Sequence, residues 1–319
     1  LVYASSWIKL HYPAAFCAAL LNAQPMGFYS AHSLVQDARR HGVPTHTPHI
    51  NLSGADANLE PVELPGEPQL TELGAATWPD QFDHGFAVRL GMGSVRGIGD
   101  DLAETIATNR PYHSIEEVAR KTGATKEQME AMATAGCFDT FGSDRRQALW
   151  TAGAIAAANR PGTLPGIVTG VHAPQLPGME DQEQALADLW ATGVAPEGHP
   201  TVFVRDDLDS MGALRAVDLP RVSQGKKVMI GGVVTHRQRP ATASGVTFMS
   251  LEDETGLMNV VISVGCWARF RRVARNHPAL LIRGRLEKTE TGGTPVVNVV
   301  AERLDPLVLG AGSMSRDFR

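Results

Sequence analysis

Gly97-Ile98-Gly99, with Arg96 before it and Asp100-Asp101 after it, is the part of this 319-residue chain whose residue types point most directly to chemistry. Two glycines bracket one apolar residue just ahead of a helical pattern, so main-chain N–H groups free of side-chain shielding can face outward beside a helix N-terminus. That arrangement suits a phosphate. It would grip a nucleic-acid backbone without reading sequence, and Arg96, Gly97, Ile98 and Gly99 are the candidate residues; a hairpin that serves structure alone is the alternative. The dinucleotide fingerprint Gly-x-Gly-x-x-Gly needs a third glycine and a parallel-sheet setting, and neither the spacing nor the short helical patterns around it fit.

Other constellations point away from catalysis. Asp100-Asp101 and Asp206-Asp207 are adjacent pairs, and neighbours on a helix do not face one point as two-metal chemistry requires. The first pair instead suits a helix start, where negative side chains are favoured. His41, His46 and His49 lie in a loop-like stretch with no cysteine or paired carboxylate beside them, so no metal site is expected. No serine, cysteine or lysine stands in a recognisable nucleophile setting. Cys17, Cys137 and Cys266 lie more than a hundred residues apart, which leaves no Cys-x-x-Cys pair and no disulfide framework. A cytoplasmic location is expected, no catalytic residue is assigned, and no cofactor is expected in this chain.

Charge is distributed unevenly. The net is −5, yet residues 221–309 hold 13 Lys/Arg against 7 Asp/Glu, a net of +6, while residues 1–220 hold 14 against 26, a net of −12. A basic block inside an acidic chain suits a polyanion at that end. Its candidates are Arg237 and Arg239, in the stretch His236-Arg237-Gln238-Arg239 expected to form a loop, with Phe248, Arg269 and Arg271. Arginines would track phosphates and an aromatic face would stack on bases. The alternatives are a Phe248 that faces a core and arginines that are merely solvated.

The elements that position these residues follow from period and punctuation. Residues 1–60 are helical in pattern, with Pro13 starting a second helix and Ser30 or Ser33 capping a third that ends at Gly42. Prolines at 44, 48, 61, 65 and 68 mark an extended region, with a linker over 61–85. Residues 86–142 give a short strand, the glycine turn, and helices begun by Asp100, by a Ser114/Glu117 capping box and by Thr125. Residues 143–220 are a linker with short helices, including 182–190 and 204–211. From Val228 the period shortens to two: three strands, a helix over 267–275 and two more strands, over about 80 residues, follow the order of an OB barrel. A tail occupies 310–319. The fold class is therefore multidomain α and β, with a compact helical unit around a glycine hairpin and a C-terminal OB-fold barrel. No apolar run reaches membrane-span length. The chain begins at Leu1, inside a helical pattern, and a fragment is expected.

With these features in this order the sequence resembles the C-terminal third of a bacterial C-family (DnaE-like) DNA polymerase. Tyr3-Ala4-Ser5-Ser6-Trp7-Ile8-Lys9, Asp37-Ala38-Arg39-Arg40-His41-Gly42-Val43, Ala135-Gly136-Cys137-Phe138-Asp139 and Leu251-Glu252-Asp253-Glu254-Thr255-Gly256 carry the resemblance. Gln24-Pro25-Met26-Gly27-Phe28-Tyr29-Ser30, Thr235-His236-Arg237-Gln238-Arg239-Pro240-Ala241-Thr242 and the ending Ser315-Arg316-Asp317-Phe318-Arg319 look like the error-prone, translesion (ImuC-type) branch. The resemblance implies that residues 1–60 are the helical end of a fingers region, 86–142 a duplex-gripping tandem helix-hairpin-helix and 221–309 an OB domain near single-stranded template. It also implies a catalytic palm with Mg2+ upstream, so this piece alone would polymerise nothing. Implied partners are primer-template and single-stranded DNA, an ImuB-type inactive Y-family polymerase and an ImuA-type accessory protein. A sliding clamp would be reached through that partner, since the nearest clamp-peptide candidate, Gln175-Leu176-Pro177-Gly178-Met179, has Gly178 where a bulky anchor belongs.

Two functions follow. One is DNA positioning by main-chain amides and arginines. The other is a protein-interaction platform that docks a polymerase to its mutasome partners. A small-molecule enzyme would need a convergent site, and the sequence offers none.

Overall fold

The computed structural model describes residues 1–27, 29–62, 85–158, 173–174, 176–291, 294–309 and 316–318. The chain divides into two compact units, residues 1–25 with 34–197 and residues 26–33 with 198–319. The 61–85 linker lies mostly outside the described residues, as does Gln175 of the clamp-peptide candidate.

The first unit is mainly helical. Helices α1 (Val2–His11) and α2 (Pro13–Asn22) are separated by the break expected, with Pro13 in the first turn of α2; α3 (Ala31–Arg40) starts among residues of the second unit, where Ser30 Oγ accepts from the Ser33 N–H, and belongs to the first unit from Leu34 on. Strands β1 (Thr45–His46), β2 (Asn58–Pro61) and β3 (Phe86–Arg89) form a small sheet, β3 lying between the other two. Strand β1 and most of β2 lie within residues 1–60, so the helical pattern expected for that stretch gives way, past Pro44, to the extended region its prolines mark.

Helices α4 (Asp100–Thr108), α5 (Ile115–Thr122), α6 (Lys126–Thr134), α7 (Arg145–Ala158) and α8 (Asp181–Thr192) follow. Their starts follow local chemistry. Thr125 and Gln128 form a reciprocal capping box. Ser114 Oγ accepts from the Glu117 N–H, but the Glu117 carboxylate accepts from His113 rather than from Ser114, so only half of the expected box forms. One apolar core joins Met92, Val95, Ile98, Ile106, Tyr112, Val118, Met129 and Phe138 to Ala148, Ala152, Ile155 and Ala191. The helical core thus runs past residue 142 and takes in α7 and the end of α8. A linker does not describe 145–155 or 181–192, because small apolar residues on those helices are buried in the same core.

The second unit is a barrel. Helix α9 (Arg205–Ser210) precedes β4 (Lys227–Gln238), β5 (Thr247–Asp253) and β6 (Gly256–Ile262); α10 (Val264–Asn276) leads to β7 (Ala279–Thr291) and β8 (Thr294–Pro306). The strands run in the order β5-β6-β8-β7-β4, and β4 pairs back with β5, closing five strands. Inward residues alternate along each strand: Met249 and Leu251 on β5, Met258, Val260 and Ile262 on β6, Ile282 and Leu286 on β7. Helix α10 packs Trp267, Phe270, Val273 and Ala274 against this interior. In the expected tail, β9 (Arg316–Phe318) pairs in parallel with the end of β4.

Candidate nucleic-acid interface

The glycine turn is built from the helical core outward. Val95 and Ile98 are 1% and 6% exposed and fasten the turn to the core, while Arg96, Gly97, Gly99 and Asp100 face solvent. Ile98 is therefore an anchor of the turn and its side chain is not available to a ligand. Gly97 has φ +78°, a left-handed conformation that a side chain strains, and the Ile98 N–H donates to Val95 O at 3.0 Å to close the bend. Gly99 caps α4 in extended conformation, and open space surrounds the position where a Cβ would stand. Among the described residues the amides of Gly97, Gly99 and Asp100 donate to no protein acceptor. These N–H groups stand at the positive end of a helix dipole, tempered by the acidic Asp100 and Asp101 in its first turn.

A second turn stands beside the first. Gly123, with φ +64°, ends α5, and Thr125 begins α6. The Gln128 side chain ties the two together: its Nε2 donates to Gly97 O at 2.9 Å, and its Oε1 accepts from the Thr125 N–H at 2.8 Å. Sequence reasoning did not single out Gln128. The capping-box spacing from Thr125 was the available signal, but the bond to Gly97 spans 31 residues and no local pattern encodes it.

Arg96 is fixed from a direction the sequence did not suggest. Its N–H donates to Ala191 O at 2.7 Å and its guanidinium lies 4.9 Å from the centre of the Trp190 ring, both on α8. Among the described residues Arg96 makes no ion pair.

In the second unit the outward residues of β4, β5 and β6 form an open groove of roughly 410 Å³, lined by His236, Gln238, Phe248, Ser250, Leu257 and Asn259 with Tyr29 beside them. Strand register explains the set. Gln238 pairs with Phe248, His236 with Ser250, and Ser250 with Asn259. Phe248 is 42% exposed, so of the two orientations open from sequence it takes the outward one. Tyr29 meets His236 edge-on with ring centres 5.8 Å apart. The groove offers apolar faces, amides, an imidazole and the hydroxyls of Ser250 and Tyr29, and no acidic side chain lines it among the described residues.

The arginines divide differently from expectation. Residues 236–238 belong to β4 rather than to a loop, and a bulge between Val234 and His236 resets the alternation so that Arg237 pairs with the inward Met249. Arg237 is 5% exposed; its Nε donates to Ala274 O and its Nη2 to His277 O, both at 2.7 Å. It secures the end of α10 and is withdrawn as a DNA-contact residue. Arg237→Met is expected to lower the unfolding free energy by about 2–3 kcal/mol, since two carbonyls lose a charged donor, with single-strand affinity unchanged once the protein is folded; urea denaturation and strand titration check the pair of outcomes. Arg239 is exposed just past β4, and Arg269 and Arg271 are exposed on α10. None of the three lines the groove.

Burial pushes the Cys17 thiol up to about 12 and raises that of Cys137 further, with Cys266 also raised by burial. No group of three or more His, Cys, Asp or Glu among the described residues could hold a metal ion. No helix among them is long and apolar enough to cross a membrane.

Comparison with known proteins agrees with both halves. A family model described as a helix-hairpin-helix motif matches residues 42–148, and one described as an OB-fold nucleic acid binding domain matches residues 228–307. An error-prone DNA polymerase of Mycolicibacterium paratuberculosis is 51% identical over 323 aligned residues, and one of Mycobacterium tuberculosis 50% identical over 323; each match covers 100% of this chain and 27% of the relative. The chain thus spans about a quarter of the length of these relatives. Among solved structures, asparaginyl-tRNA synthetase from Pyrococcus horikoshii matches 29% of this chain and 22% of that chain at 20% identity, with a TM-score of 0.25. With a helix-hairpin-helix region, an OB-fold barrel and about half of its residues identical along its whole length, the chain matches the C-terminal region of the error-prone DNA polymerases.

Proposed function

We propose that this chain is the DNA-handling end of an error-prone DNA polymerase that acts in translesion synthesis and damage-induced mutagenesis. The glycine turn grips primer-template duplex through its main-chain amides and Arg96. The barrel groove holds single-stranded template by stacking on Phe248. The observation that carries this reading is the set of exposed, unpaired amides at Gly97, Gly99 and Asp100, held by Ile98 and Gln128 in a bend that only glycine adopts without strain. Such contacts position a backbone without reading its sequence.

Polymerisation belongs, in this proposal, to the part of such a protein that this chain does not span. In the same proposal the Mg2+ that activates a primer end is held in that part as well. The 319 residues alone should extend no primer, and the parent protein would work in the cytoplasm at the nucleoid. Recruitment through an ImuB-type partner and an ImuA-type accessory protein is part of the same proposal, with a sliding clamp reached only through them. Pull-down with and without residues 221–319 locates that docking.

Titration of the chain with a labelled primer-template duplex tests the grip. Affinity should fall steeply between about 50 and 200 mM salt and be nearly blind to sequence. Gly97→Ala, which strains the bend, and Arg96→Ala should each weaken duplex binding; unchanged affinity in both variants would remove the basis of the reading.

A further inference from the structure

We infer that helix α8 is a working part of the duplex grip and that Trp190 is the positioning residue that holds the Arg96 guanidinium toward the phosphate. The inference rests on the duplex-binding reading above and extends it to a helix that lies beyond the residues 42–148 matched by the helix-hairpin-helix family model.

Three observations carry it. First, Trp190 is 52% exposed on a helix whose neighbouring Ala191 is 1% exposed, so the indole stays at the surface although the helix is docked. Second, the Arg96 guanidinium lies 4.9 Å from the indole centre, within the range in which a cation is held by a ring face. Among the described residues it makes no ion pair, so no carboxylate competes with a phosphate for it. Third, the Arg96 N–H donates to Ala191 O at 2.7 Å, which fixes the backbone of the turn to the end of the same helix.

The helix itself is firmly attached. Arg145 Nη1 meets Asp188 Oδ1 at 2.6 Å in a buried pair, and Arg146 Nη2 reaches both oxygens of Glu183 at 2.7 and 2.8 Å. A flexible arginine beside a phosphate grip would lose rotamer freedom each time it engaged a strand. Packed on a ring that is itself anchored, it has lost much of that freedom before the strand arrives. The ring neutralises none of the charge, so the guanidinium remains a full cation for the phosphate.

The test is a double-mutant cycle on the 319-residue chain with a primer-template duplex as probe. Arg96→Ala should weaken duplex binding and reduce the steepness of the log affinity against log salt plot by about 0.9. Trp190→Ala should weaken binding by about two- to fivefold at 0.1 M salt, and Trp190→Phe, which keeps a ring face, should recover most of it. In an Arg96→Ala background, Trp190→Ala should have no further effect. Duplex should also alter the fluorescence of the wild-type chain more than that of Trp190→Phe. Equal losses from Trp190→Ala with and without Arg96 would overturn the inference, as would wild-type affinity in Trp190→Ala. If Arg96→Ala and Gly97→Ala themselves bind as the wild type does, it is the duplex-binding reading that has failed, and the inference falls with it. Melting curves of each variant separate loss of fold from loss of contact.

Discussion

Replacing Asp188 by alanine is expected to cost the helical unit about 3–5 kcal/mol, because Arg145 would keep a buried charge without its counter-ion. The two side chains are 3% and 9% exposed and meet at 2.6 Å. Room for the guanidinium comes from Gly136, where φ is +76° and a Cβ would stand 2.8 Å from Arg145 Nε, so any side chain at 136 pushes the arginine off its partner. The paired replacement of Arg145 by Met and Asp188 by Leu should restore much of the loss, since neither charge is then buried. Urea denaturation of the three variants measures this. A loss below about 1 kcal/mol in Asp188→Ala would show that the pair is solvated and that α8 is not clasped by it.

The same carboxyl gives a pH signature. Burial pushes Asp188 up to about 6 from its ordinary 3.8, against the opposing pull of Arg145. Between those two values the folded chain binds more protons at this site than the unfolded chain does, so this group makes stability fall as pH rises from about 4 to 6. Asp188→Asn cannot titrate, and its stability curve should lack that component. Because α8 also presents Ala191 O and Trp190 to the glycine turn, Asp188→Ala should weaken duplex binding as well, although Asp188 faces no ligand.

Much of this architecture could be read from residue order, and the parts that could not share a cause. Pro13, Thr125, Gly42 and the alternation of Met249, Leu251, Met258 and Val260 act within a few residues of themselves, so period and punctuation reveal them. The closed barrel followed from five such segments and a helix in the right sequence. Arg237 reads as a loop residue because the apolar alternation stops at Val234, whereas β4 runs on to Gln238 past a bulge at Val234/His236 that turns Arg237 inward, and a single extra residue leaves no mark in composition. The helix at 181–192 was found, but not its place in the core, since Ala185 and Ala191 are small and its charges suggest solvent. At the glycine turn, bend and free amides were legible; the Gln128 and Ala191 bonds that hold it span 31 and 95 residues.

Phe248→Ala is expected to weaken binding of a single strand by about ten- to a hundredfold, the loss of one base stacked on an aromatic face. The groove gives this prediction a second edge. Its described lining holds no arginine, lysine or carboxylate, and Arg269 and Arg271 stand elsewhere on α10. Single-strand binding there should therefore owe more to stacking on Phe248 and Tyr29 than to released counterions, and its affinity should decline with salt by a shallower slope than the duplex affinity does. The two activities then separate by variant: Arg96→Ala lowers duplex binding and its salt slope and leaves the single strand alone, whereas Phe248→Ala does the reverse. Val264→Ser, which removes an equally exposed apolar side chain outside the groove, serves as the control and should bind normally. Should Phe248→Ala bind single strands as well as Val264→Ser does, or should the single-strand slope be as steep as the duplex slope, then arginines outside the groove hold the template and the outward turn of Phe248 serves something else.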